Sequence, residues 1–62
     1  MKLNLNRNLE KYDDFYEKLI AMQRNKTEDQ IQLMNAKLLL ILANHIGDEQ
    51  ILEEAIQTAS AS

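Results

Sequence analysis

Gly47 is the only glycine in this chain, and proline is absent. Folds built from alternating strands need many tight turns, and Gly and Pro usually supply them. A few long helices remain, so the expected fold class is all-α. Sixty-two residues form one domain at most. A chain of this length buries only about 60% of its unfolded surface, so a lone copy is marginal. Small scaffolds compensate with disulfides, a metal or oligomerisation. Cysteine is absent and His45 is the only histidine. Disulfides, thiolate metal sites and multi-histidine sites within one chain are therefore out, and self-association is the device left.

Hydrophobic periodicity divides the chain into an arm and three helices. Residues 1–9 read as an extended arm, because Leu3 and Leu5 alternate with Lys2, Asn4 and Asn6. Such an arm must drape over the helices, pair with its twin or stay mobile. Helix 1 is expected over residues 12–25, with Tyr12, Phe15, Tyr16, Leu19 and Ile20 at helical spacing. Asp13, Asp14 and Glu17 lie near its start, where they favour the positive end of the dipole. Thr27, with Gln30 three residues on, has the pattern of a capping box, so helix 2 is expected over 28–46. Gly47 can take the left-handed conformation that ends a helix. Asp48 then caps helix 3, expected over 49–59, with residues 60–62 fraying. Short connections make such helices antiparallel neighbours. The whole is an extended arm followed by a three-helix antiparallel domain, expected to be dimeric.

Helix 2 carries the argument for a partner. At about 100° per residue, Ile31, Met34, Leu38, Ile41 and Leu42 form one stripe, the expected core. Leu33 and Leu40 fall roughly 180–200° away on the same wheel, flanked by Lys37 and Asn44. A helix apolar on both sides is normally buried on both sides. Leu33 and Leu40 from two copies are therefore the expected dimer seam. The competing reading folds helix 3 or the arm over that stripe within one chain.

Candidate chemistry is sparse. His45 projects toward the core stripe on the wheel and reads as a helix-end histidine bonded to a local carbonyl or to Asp48, rather than as a base or metal ligand. Asn35 projects near the same stripe and is a candidate for fixing register in a helical seam. Glu10, Asp13, Asp14 and Glu17 read as a solvated acidic face, since the Glu-x-x-His of helical di-metal sites is missing. Tyr12, Phe15 and Tyr16 read as packing aromatics. No phosphate loop, nucleophile elbow, zincin or EF-hand motif occurs. No catalytic residue, cofactor or metal is expected, and an enzyme is not expected.

Charge and hydropathy bound the partners. The net charge is −3, with 45% hydrophobic and 27% charged residues, too apolar for a disordered chain. Residues 1–26 carry six basic and four acidic side chains, net +2, and the remainder carry one and six, net −5. This is either a solvated surface that keeps the protein soluble or a match between acidic and basic faces, within the chain or across an interface. The longest apolar run, Leu38 to Ala43, is far short of the ~20 residues that span a bilayer, and no apolar signal core forms near the start. A membrane role is not expected, and the expected location is the cytoplasm. The alternative function is a ribbon–helix–helix-like DNA-binding protein with a strand ahead of its helices. The acidic balance argues against it, because phosphate contacts dominate DNA affinity.

Asn8-Leu9, Asp14-Phe15-Tyr16, Leu19-Ile20, Leu33-x-Asn35-Ala36-x-Leu38 and Ala43-Asn44-His45-Ile46-Gly47-Asp48 together resemble a family of very short bacterial proteins of unknown function. The resemblance covers roughly residues 3–56, and the Ala43–Asp48 stretch is its most specific part. Family members carry a proline near the position of Tyr12, so this chain departs from the pattern at the start of helix 1. The resemblance implies no catalytic residue. It implies an accessory partner of a flavin-dependent enzyme acting on aromatic compounds, with Asn44, His45 and Asp48 as a recognition surface. The expected function is thus a helical protein-interaction module, homodimeric and binding an unidentified protein partner, with Leu33, Lys37, Leu40, Asn44, His45 and Asp48 as its interaction surface.

Overall fold

Local capping chemistry sets where the helices of this chain begin and end. A computed structural model describes residues 2–61 and contains three helices, α1 (Tyr12–Gln23), α2 (Glu28–Ile46) and α3 (Glu49–Ser60). No strand occurs among the described residues.

Helix α2 starts on the expected capping box. The Gln30 N–H donates to Thr27 Oγ1 at 3.2 Å, and the Thr27 N–H donates to Gln30 Oε1 at 2.9 Å. Two backbone donors that the helix itself leaves unpaired are thereby satisfied. At the other end Gly47 adopts φ +65° and its N–H donates to the Ala43 carbonyl at 2.9 Å. A Cβ there would meet only the Asn44 carbonyl oxygen at 3.7 Å. The left-handed backbone, and not lack of space, is what calls for glycine. Asp48 follows at once as the cap of α3, its Oδ1 accepting from the Gln50 and Ile51 N–H groups at 3.0 and 3.3 Å.

Helix α1 is shorter than its periodicity predicts. It ends at Gln23 instead of Asn25, because Arg24 turns extended and Asn25 takes φ +58°. Asn is among the few non-glycine residues that tolerate this region, so it can break the helix in glycine's place. At the start, Lys11 makes no side-chain cap bond, and Asp13 and Asp14 in the first turn face the dipole. Helix α3 runs one residue past the expected end, with the Ser60 hydroxyl donating to the Ile56 carbonyl at 2.9 Å. Of the three residues expected to fray, Ser60 is thus helical, and Ser62 lies outside the described residues.

The arm is irregular and bends at Asn6, whose N–H donates to Asn4 Oδ1 at 2.9 Å. The bend breaks the leucine alternation, leaving Leu3 half-buried and Leu5 and Leu9 exposed. Lys2 shares a shallow hollow with Gln50, Glu53 and Glu54 of α3. Lys2 thus lies beside the acidic side of that helix, while residues 4–9 of the arm are exposed. Farther along, the Arg7 guanidinium stacks over the Tyr12 ring at 5.4 Å, a contact contributing about 0.5–1 kcal/mol at an exposed site.

Packing is thin. Helix α2 packs chiefly on α3, and Ile51 (5% exposed) is the one buried residue among those described. Leu19, Met22, Ile31, Met34, Leu38, Leu52 and Ala55 are half-buried. The stripe expected as the core of α2 is only partly one: Ile41 is 65% and Leu42 45% exposed. The wheel assumed that two neighbouring helices would cover a broad face, but α2 shelters mainly the narrower side near Ile31, Met34 and Leu38. His45, placed toward that stripe by the same wheel, is exposed for the same reason.

Candidate functional site

The middle helix carries two rows of residues with the same i, i+4, i+7, i+11 spacing, offset by two residues. An offset of two is a rotation of about 200°, so the rows lie on nearly opposite sides of α2.

The first row is Leu33, Lys37, Leu40 and Asn44. All four are exposed, Leu33 at 57% and Leu40 at 66%. Neither leucine is tucked under its own chain, so each has roughly 1–2 kcal/mol of burial still to gain. Of the other residues expected to share this surface, His45 is exposed but lies about 100° around the helix from Asn44. Asp48 is half-buried beyond the end of α2, and its Oδ1 is engaged by the Gln50 and Ile51 amides. The structure thus brings four of the six residues into one line and gives Asp48 a capping role.

The second row, Asn35, Leu39, Leu42 and Ile46, forms one wall of a groove of about 580 Å³. Helix α1 adds Phe15 and Leu19, and α3 adds Leu52, Ala55, Ile56 and Ala59. Among the described residues Asn35 is the only polar side chain in this lining. The floor residues Leu19, Leu38, Leu52 and Ala55 are half-buried, whereas Leu39 (66%) and Ile56 (67%) stand exposed. Helical periodicity puts Leu38 and Leu42 in the expected core stripe and Asn35 near it; it misses the groove because Leu39 is left unassigned and the three helices do not close over this face. The signal that could have found it is the spacing of residues 35, 39, 42 and 46. A second, open hollow of about 870 Å³ along α1 mixes Leu9, Phe15, Tyr16 and Ile20 with Lys11, Asp14, Glu17, Lys18 and Arg24, and so lacks the nearly all-apolar lining of the groove.

Among the described residues no group of three or more His, Cys, Asp or Glu side chains is arranged to hold a metal. The acidic residues Glu10, Asp13, Asp14 and Glu17 are all exposed. Among the described residues no helix is long and apolar enough to cross a membrane.

Dimensions give the same picture as the groove. The chain exposes 5973 Å², whereas a compact 7.2 kDa monomer exposes about 4,100 Å². Its radius of gyration is 13.3 Å, against about 10.5 Å for a compact chain of this length.

A family model described as "Protein of unknown function (DUF2783)" matches residues 3–61. No curated protein and no solved structure matches the chain.

Proposed function

The chain belongs to the DUF2783 family of proteins of unknown function, and from that premise we propose that it is a helical protein-interaction module completed by a second copy of itself. The observation that carries this reading is a core that, among the described residues, is reduced to one buried residue, Ile51, beside large exposed aliphatic side chains on α2 and α3. The area exposed beyond that of a compact monomer is roughly 1,900 Å². A stable interface buries about 800 Å² per partner, so association has ample surface to use. Binding entropy offsets part of the gain.

The row Leu33, Lys37, Leu40 and Asn44, whose leucines the sequence offers as a dimer seam, is in this proposal the surface through which the module meets a different protein. Following the family resemblance, that protein is a flavin-dependent enzyme of aromatic-compound breakdown, which the chain serves as an accessory. Affinity capture with the wild-type chain beside a Leu33→Ser/Leu40→Ser variant tests this. Recovery of a flavoenzyme by the wild type alone supports it, and equal recovery by both removes the row from the interaction.

Self-association is tested by thermal unfolding at several chain concentrations. A species that is stable only as a dimer melts at a higher temperature as concentration rises. A midpoint independent of concentration contradicts the reading.

A further inference from the structure

We infer that the seat of the second copy is the three-helix groove, packed groove against groove about a two-fold axis, which leaves the Leu33–Asn44 row displayed outward. This rests on the self-association proposed above and specifies where it occurs.

Three observations choose the groove over the opposite row. The first is the chemistry of the two α2 rows. A symmetric seam along Leu33, Lys37, Leu40 and Asn44 brings Lys37 near its own twin and strips water from both ammonium groups, which is unfavourable on both counts. The groove row has no charged member, and its one polar residue is Asn35. The second is shape. A two-fold interface must be complementary to itself. Leu39 and Ile56 protrude at the rim, while the floor is lower and includes the small side chain of Ala55. Rim leucine and isoleucine of one copy can therefore enter the floor of the other, as knobs enter holes in helical seams.

The third is charge. Residues three and four apart are neighbours on a helix surface. On the α1 wall Phe15 has Lys11 and Lys18 as such neighbours, and on the α3 wall Ile56 has Glu53, which also shares a hollow with Lys2. Setting the α1 wall of one copy on the α3 wall of its partner places basic rims on acidic ones and runs the two α2 rows side by side, with Asn35 of each at the seam. Opposite rims steer the encounter and reject other alignments. The area needed for a stable dimer, about 800 Å² per partner, is less than half the excess the free chain exposes.

Sedimentation velocity on two double variants tests the assignment. Leu39 and Ile56 are exposed in the single chain, so their replacement leaves its own packing in place. Leu39→Glu/Ile56→Glu is expected to weaken self-association by about a hundredfold or more, and Leu33→Glu/Leu40→Glu by less than about threefold. The opposite ranking overturns the groove as the seat while leaving self-association standing. A wild-type chain that is monomeric at all concentrations overturns both. Should the groove variant lose its helical circular dichroism, single-cysteine chains decide, since the chain has no other thiol. Leu39→Cys is expected to oxidise to a covalent dimer at least tenfold faster than Leu33→Cys, and the reverse order overturns the inference.

Discussion

Leu39 and Leu40 are consecutive, equally exposed at 66%, and belong to different surfaces. Leu39 lines the groove shared by all three helices, and Leu40 lies in the row with Leu33 and Lys37. In a single chain the two positions are energetically alike, and polar substitution at either changes monomer stability by no more than about 0.5 kcal/mol. In the proposed groove-paired dimer they separate. Leu39→Gln lowers the melting temperature at high chain concentration and not at low, while Leu40→Gln leaves both unchanged. Thermal scans at two concentrations check this.

The capping box at α2 makes a prediction independent of association. Thr27→Ala removes the acceptor for the Gln30 N–H and costs about 1 kcal/mol. Thr27→Ser retains the oxygen and keeps most of that stability. Urea unfolding at a single concentration distinguishes the two, and neither variant shifts the dimer–monomer equilibrium beyond what the loss of folded chain explains.

The α2–α3 junction separates structural residues from surface ones. Asp48→Ala removes the acceptor for two amides at the start of α3 and destabilises by about 1 kcal/mol. Gly47→Ala forces a Cβ into left-handed backbone at a cost of about 1–2 kcal/mol. Asn44→Ala/His45→Ala changes exposed side chains only and leaves stability within about 0.5 kcal/mol. Any loss of partner capture in that last variant therefore reads out recognition, whereas the same loss in Asp48→Ala reads out folding.

Asn35 is the groove's single polar lining residue. A lone Asn in a helical seam fixes register and oligomer state at a cost in stability. Asn35→Leu is expected to tighten association about tenfold or more while admitting alternative assemblies, seen as species heavier than a dimer in sedimentation.

Rim charges give a rescue experiment. Lys18→Glu places like charges on the α1 and α3 walls and weakens association, and adding Glu53→Lys in the same chain restores it. Exposed pairs contribute about 0.2–1 kcal/mol each, so the change is a few-fold and fades in high salt. Failure of the second substitution to rescue contradicts the alignment of the two walls.

The features legible in the sequence are those decided within one or two turns of chain. Thr27 with Gln30, Gly47 and Asp48 fix both ends of α2 and the start of α3 through bonds to near neighbours, so their residue types were sufficient evidence. The end of α1 escaped because Asn25, unlike Gly47, enters left-handed backbone only when context demands it. Ile41 and Leu39 escaped for another reason. Which side of an all-round apolar helix is covered depends on how far its neighbours pack against it, and periodicity alone carries no such information. The exposed row of Leu33 and Leu40 was legible because it followed from the wheel itself. The groove needed the placement of Phe15 and Ile56 from helices on either side in sequence.

Sedimentation equilibrium of the wild-type chain over a hundredfold concentration range goes most directly to the claim that this chain leaves its core to be finished by a twin. The expected result is a mass of twice 7.2 kDa that falls toward the single-chain value on dilution. A constant 7.2 kDa at every concentration would contradict it.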